Sequence, residues 1–278
     1  MEIKRAERQK ASPEMLRIAN TILCNYSMVN KSSLSDGRMG VCLFLYEYAR
    51  LTEKKEYEEL ADNMVDEILN TLNKMQNENN ICNLSGIGMG IVYLITNQFI
   101  EDTDEHDSLE ELDMFLSKTI ETAKELTETF VWSALYFIYR FLNYRIGIER
   151  KHYHRLAKHI LMLFRNPMDK RRVDNSIASF VLQNAKQMYK ISHNAKTFQW
   201  ESLTFFELAL NTEQEQTNAE YLWFCLLFNK KDLKKEWDEN VLFNMSINCF
   251  YDAERTVGNL CHIALCEINK RKKQHECS

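Results

Sequence analysis

Apolar residues recur along nearly the whole chain at offsets of three and four, and no stretch alternates for long between apolar and polar positions. That pattern predicts helices and almost no strand. Helices are expected at 13–28, 37–51, 54–74, 87–99, 107–124, 129–145, 151–165, 172–189, 199–211, 217–229, 231–245 and 256–272, joined by short connections. Ser12, Pro13 and Glu14 form a helix start: an N-cap, a proline at the first helical position and an acid in the first turn.

The helices are of two kinds, and the kinds alternate. One is apolar on every side, as in Met39–Tyr46, Gly90–Ile95, Phe130–Ile138 and Tyr221–Phe228. Such a helix must be buried on every side. The other carries a charged face, as in Glu53–Lys74, Asp107–Lys124 and Asp232–Asn244. The buried kind begins near 37, 84, 130, 173, 218 and 257, a spacing of about 40–47 residues that signals a helical repeat. Six inner and six outer helices can close into an (α/α)6 toroid, with helix 13–28 beside helix 256–272; an open solenoid of helix pairs is the competitor. The expectation is all-α, a single toroid domain over 1–278, with an N-terminal arm at 1–12 and a tail at 271–278.

Glycine usage sharpens this picture. Six of the seven glycines, Gly37, Gly40, Gly86, Gly88, Gly90 and Gly258, are expected at the starts of inner helices; Gly147 falls in a connection. In a ring these starts gather at one mouth, where first-turn N–H groups face a shared depression. Packing of helix starts alone is the simpler account of the same glycines. The net charge of −5 argues against a nucleic-acid partner. No apolar run reaches the ~18 residues of a membrane span, and the charged Met1–Lys10 is not a signal peptide. The eight cysteines include several inside apolar helical runs and no Cys-x-x-Cys pair, which suits reduced thiols in a cytoplasmic protein.

The stretch Leu34-Ser-Asp-Gly-Arg-Met-Gly-Val-Cys-Leu-Phe-Leu-Tyr46, continued to Asp62, resembles the first repeat of lanthionine synthetase C-like proteins, the lanthipeptide cyclases. Asn83-Leu-Ser-Gly-Ile-Gly-Met-Gly-Ile-Val-Tyr-Leu94 resembles the second repeat, and Ser108–Asp113 the acidic outer helix after it. The resemblance covers residues 30–125. It implies an α/α toroid, a ribosomal precursor peptide as guest, and a peptide-modifying enzyme as possible partner. In the family a zinc ion, held by two cysteines and a histidine near the last inner helices, strips the proton from a peptide thiol. That thiolate adds to a dehydrated residue and forms a thioether. A free thiol of pKa near 8.5 is mostly protonated at neutral pH, hence the metal.

The zinc ligands do not carry over cleanly. Cys261-His262 matches the family's Cys-His pair in one register. In the other, Gly258-Asn-Leu-Cys261 aligns with Gly37-Arg-Met-Gly40, and Thr256 and Val257 fall at the pair. The second register keeps 257–268 as the buried segment and is preferred. The loop at 211–218 holds neither cysteine nor histidine. No metal is therefore favoured, and a degenerate, metal-free homologue that binds a peptide is the first reading. An active zinc cyclase with relocated ligands, Cys249, Cys261 and His262, is the alternative. A toroid carbohydrate-active enzyme, with Asp36, Asp174 and Asp252 as its thin carboxylate set, is a third. Peptide contacts are expected from Asp36 and Arg38 in the first mouth and Asn83 and Ser85 in the second, although Asp36 can instead cap its helix. An arginine at the mouth can clamp a carboxylate. His152, His154 and His159 do not share one helix face and read as solvated surface, as does Lys270–Lys273.

Overall fold

The computed structural model describes residues 12–75, 80–101, 109–144, 149–164, 175–192, 227 and 253–276. Among them every regular element is helical: α1 (Pro13–Asn25), α2 (Arg38–Thr52), α3 (Lys55–Met75), α4 (Ile81–Thr96), α5 (Glu110–Thr122), α6 (Glu128–Asn143), α7 (Arg150–Leu163), α8 (Asn175–Ser192) and α9 (Ala253–Glu276), with a 3-10 turn at Tyr26–Met28 after α1. The all-α class expected from periodicity is what the chain adopts. The helices expected at 199–211, 217–229 and 231–245 lie outside the described residues, Leu227 apart. None of the described helices is long and apolar enough to cross a membrane.

The chain divides into two compact units, Met1–Thr71 with Asn229–Ser278, and Leu72–Phe228. In the first, α9 packs against both α2 and α1, so the contact expected between 13–28 and 256–272 is present. Ser12 caps α1 as its sequence implies, accepting a hydrogen bond from the Met15 amide at 3.3 Å. In α2 every residue from Met39 to Ala49 is buried, and α9 is buried through Val257, Leu260 to Cys266 and Ile268. Helices buried so fully over these stretches can satisfy that only by covering each other and being covered.

In the second unit α4 packs on α6 and α6 on α8, while α5 and α7 lie over this layer. The outer helices bury one stripe each. In α7 it is Tyr153, Leu156, Ala157, Ile160 and Leu161, the offsets of a single helix face. Thr127 caps α6 by accepting from the Phe130 amide at 3.2 Å. The layer α4–α6 depends on Gly88: a Cβ there would sit 2.5 Å from Cε2 of Tyr136 and 2.8 Å from Leu112.

One boundary differs in a way that matters for the site. The helix expected from 87 begins at Ile81, because Ile81 and Leu84 extend the apolar phase of 87–94 backwards and are buried. Gly86, Gly88 and Gly90 therefore lie within α4 rather than at its mouth. Likewise α9 begins before Gly258 and runs on through the basic residues 270–273 to Glu276.

Candidate functional site

The loop Val29–Gly37 enters α2 and carries two of the expected site residues. It is folded on itself by Arg38, whose backbone N–H donates to Lys31 O at 2.8 Å and whose Nε donates to Val29 O at 2.9 Å. Asp36 does not cap α2. The N-cap is Gly37, with no side-chain cap bond, while the Asp36 carboxylate accepts from Ser33 Oγ at 2.6 Å and pairs with Lys31 Nζ at 2.8 Å. Burial alone would raise the pKa of Asp36, but the hydrogen bonds from Lys31 and Ser33 outweigh it and hold the carboxyl below its ordinary value. The Arg38 guanidinium reaches out to α3 and pairs with Glu67 at 2.6 Å, the glutamate side chain being 64% exposed. A carboxylate thus already occupies the clamp, and it is one that water reaches.

Helix α9 closes this loop from behind. A Cβ on Gly258 would lie 2.0 Å from the Ser35 carbonyl oxygen and 3.0 Å from Asp36 Cα. Only a glycine permits that approach, and it ties the second turn of α9 to the entry of α2. Asn83 and Ser85 stand in the other unit, inside the first two turns of α4. Asn83 is half-buried. Ser85 is completely buried, and its hydroxyl meets no hydrogen-bond partner.

The zinc ligands suggested by the resemblance are not brought together by the described residues. Cys261 lies about two turns beyond Ala253, fully buried, and the nearby Cys42 thiol is buried as well. Burial pushes both thiols well above their ordinary range, with each other's proximity adding to the effect at Cys261. His262 is turned by about 100° around the helix from Cys261. Its Nε2 lies 3.5 Å from Sγ of Cys266, one turn on. Cys261 and His262 as placed therefore do not fit the family's ion, and among the described residues no three His, Cys, Asp or Glu side chains converge as metal ligands. Cys249, Cys225, the loop 211–218, Asp174 and Asp252 lie outside the described residues.

The second unit holds a buried polar cluster that pattern reading did not isolate. Arg140 on α6 is completely buried and pairs with Asp113 Oδ2 of α5 at 2.7 Å; the Tyr136 hydroxyl donates to Asp113 Oδ1 at 2.6 Å. The signal was available, since a charged residue inside an all-round apolar helix must find a buried partner. Asp113 also floors a groove of about 490 Å³ between α5 and the start of α7, lined among others by Glu110, Met114, Glu149, Lys151 and His152.

The three α7 histidines meet different neighbours, as their spacing requires, and each is half-buried rather than fully solvated. His152 sets its ring 6.3 Å from Phe137 of α6 and takes a hydrogen bond from Arg155 on Nδ1 at 2.8 Å. His154 stacks on Tyr189 of α8 at 4.5 Å. His159 Nε2 meets the Ala123 carbonyl at 3.2 Å, just beyond the end of α5.

The family model for lanthionine synthetase C-like proteins matches residues 28–164, from the end of the 3-10 turn to the end of α7. Comparison with curated proteins gives no match, and neither does comparison with solved structures. The matched segment includes both glycine-bearing inner helices, α2 and α4, on which the resemblance rests. Residues 28–164 are thus similar to the lanthionine synthetase C-like family, and the resemblance read from α2 and α4 is the one the family model finds.

Proposed function

We propose that the chain binds a ribosomally made precursor peptide as a lanthionine synthetase C-like protein that no longer carries the family's zinc chemistry, serving a peptide-modifying enzyme in the cytoplasm. The observation that carries this reading is the position of Cys261. A cyclase must present its metal, and through it an activated thiol, at an open mouth. Here the cysteine of the Cys-His pair is sealed inside α9 beside Cys42, with its proton held on by burial. Gly258 wedged on Ser35 favours the register in which Thr256 and Val257 stand where the ligands would be.

The guest is proposed to dock at the entry of α2, where first-turn N–H groups and Arg38 favour negative charge. An acidic peptide segment would compete with Glu67 for the guanidinium. Titrating a candidate leader or core peptide against wild type, Arg38→Ala and Glu67→Gln tests this. Arg38→Ala should weaken binding by on the order of 1.5–3 kcal/mol, and Glu67→Gln should strengthen it by freeing the clamp. Equal affinities for all three proteins would remove Arg38 from the site. Metal analysis of protein purified without chelator should find well under one equivalent of zinc; near-stoichiometric zinc lost on Cys261→Ala would restore the active cyclase with Cys249, Cys261 and His262.

A further inference from the structure

Helices α5 and α7 pack side by side and leave between them the groove of about 490 Å³, a size within the range of small-molecule sites. Its floor is fixed. Asp113 is buried there, held by Arg140 at 2.7 Å and by the Tyr136 hydroxyl at 2.6 Å, and Arg140 balances its charge. Arg155 of α7 ties the two walls together by pairing with Glu121 of α5 at 2.8 Å. It also donates to Nδ1 of His152 at 2.8 Å, and burial lowers the pKa of that imidazole, so His152 lines the groove as a neutral ring. What stays unengaged is two carboxylates and one ammonium. Glu110 of α5 and Glu149 and Lys151 at the start of α7 line the groove, and among the described residues none of these three side chains makes an ion pair or a hydrogen bond. Glu149 gives α7 no side-chain cap, so the positive potential of that helix start adds to the Lys151 charge.

We propose that this groove binds a free basic α-amino acid such as arginine or lysine, its carboxylate on Lys151 and its two basic centres on Glu110 and Glu149. The guest's charges, two positive and one negative, are the complement of the three that the groove leaves open. A neutral amino acid lacks the second basic centre, and an amine without a carboxylate leaves Lys151 unmatched. Met114, exposed at the lip of the groove, supplies an adaptable apolar contact for the guest's methylene stem. The inference does not rest on peptide binding: all of its residues belong to the second compact unit, whereas Arg38 belongs to the first.

The test is a calorimetric titration of the full chain with L-arginine at low ionic strength, where exposed charges are least screened. One saturable equivalent is expected, with weaker binding of L-leucine and of agmatine, which is arginine without its carboxylate. Glu110→Gln and Lys151→Gln, both at exposed positions, should each weaken arginine binding about threefold to tenfold. Glu111→Gln and Lys158→Gln remove the same charges from the same helices outside the groove and should leave it unchanged. Lys151→Gln should not weaken agmatine, because that guest has no carboxylate to lose. Absence of saturable arginine binding to the wild-type protein at tens of millimolar would overturn the proposal, and that readout needs no variant to fold. So would equal losses in the two control variants, which would reduce the effect to diffuse charge. Equal affinity for arginine blocked at both ends, as N-acetylarginine amide, would overturn it too, since the guest would then be a side chain of a polypeptide.

Discussion

Removal of the Asp113 carboxylate should be the most damaging single change in the second unit. Asp113→Ala deprives a completely buried guanidinium of the carboxylate at 2.7 Å and the Tyr136 hydroxyl of the acceptor at 2.6 Å. Breaking a buried ion pair from one side costs about 3–5 kcal/mol, and a buried hydroxyl without its partner about 1–3 kcal/mol. The two losses overlap, because a water admitted to the vacated space can serve both groups, so about 4 kcal/mol is expected. With a urea m-value near 2 kcal/mol/M, the unfolding midpoint falls by about 2 M. Asp113→Asn keeps an acceptor for the phenol and loses only the charge, and should lie between. The double change Asp113→Leu with Arg140→Met removes both charges and should recover most of the loss, since an apolar replacement of a buried pair is often neutral. Because the chain divides into two compact units, the assay should pair urea unfolding by circular dichroism with hydrogen exchange of the α6 amides. A loss below about 1 kcal/mol for Asp113→Ala, or a double variant less stable than the single one, would refute the assignment of the pair as a buried electrostatic lock.

Three further outcomes follow from single features. Gly258→Ala drives a Cβ to 2.0 Å from a backbone oxygen and should destabilise by about 1–3 kcal/mol, measured by thermal unfolding. The pKa of His152 is lowered by burial first and by the Arg155 cation second, so the folded protein binds that proton less readily than the unfolded chain. The stability conferred by the neutral ring is complete above pH about 6.5 and declines as pH falls towards the depressed folded value. His152→Gln should flatten that slope in a pH series of unfolding midpoints. Glu53 ends α2 in the left-handed region at φ 56°, and Glu53→Gly should stabilise by about 1 kcal/mol, read from the same melts.

The repeat was legible because burial leaves a mark on composition. α2, α4 and α6 are apolar on nearly all sides, and the starts of α2 and α6 fall within a residue of expectation. What escaped the pattern was of two sorts. The start of α4 was misplaced because glycines at 86, 88 and 90 read as a mouth, whereas Gly88 is small to admit the Tyr136 ring. Periodicity through Ile81 and Leu84 was the better guide. Partnerships also escaped. Nothing local tells Asp113 from Glu110 and Glu111 in the first turn of α5, yet only Asp113 shares the buried phase of Leu112 and Leu116. Arg38 looked free to bind because Glu67 is far away in sequence. The candidate ligand Cys249, and the loop 211–218 where the family's remaining ligand would be expected, belong to residues the structure does not describe.

The packing of α9 on α1 and α2 has a consequence for how the protein is made. Some two hundred residues separate the end of α2 from the start of α9. A ribosome adding ~5–20 residues per second leaves about 10–40 s between them. Through that interval the first helices emerge with the apolar face that α9 covers left bare, while the uninterrupted segment 72–228 forms a unit of its own and can condense. The N-terminal helices are therefore the last part of the chain able to finish folding. A stop codon or a ribosomal stall ahead of residue 253 would strand them as a sticky, chaperone-bound prefix on an otherwise folded middle.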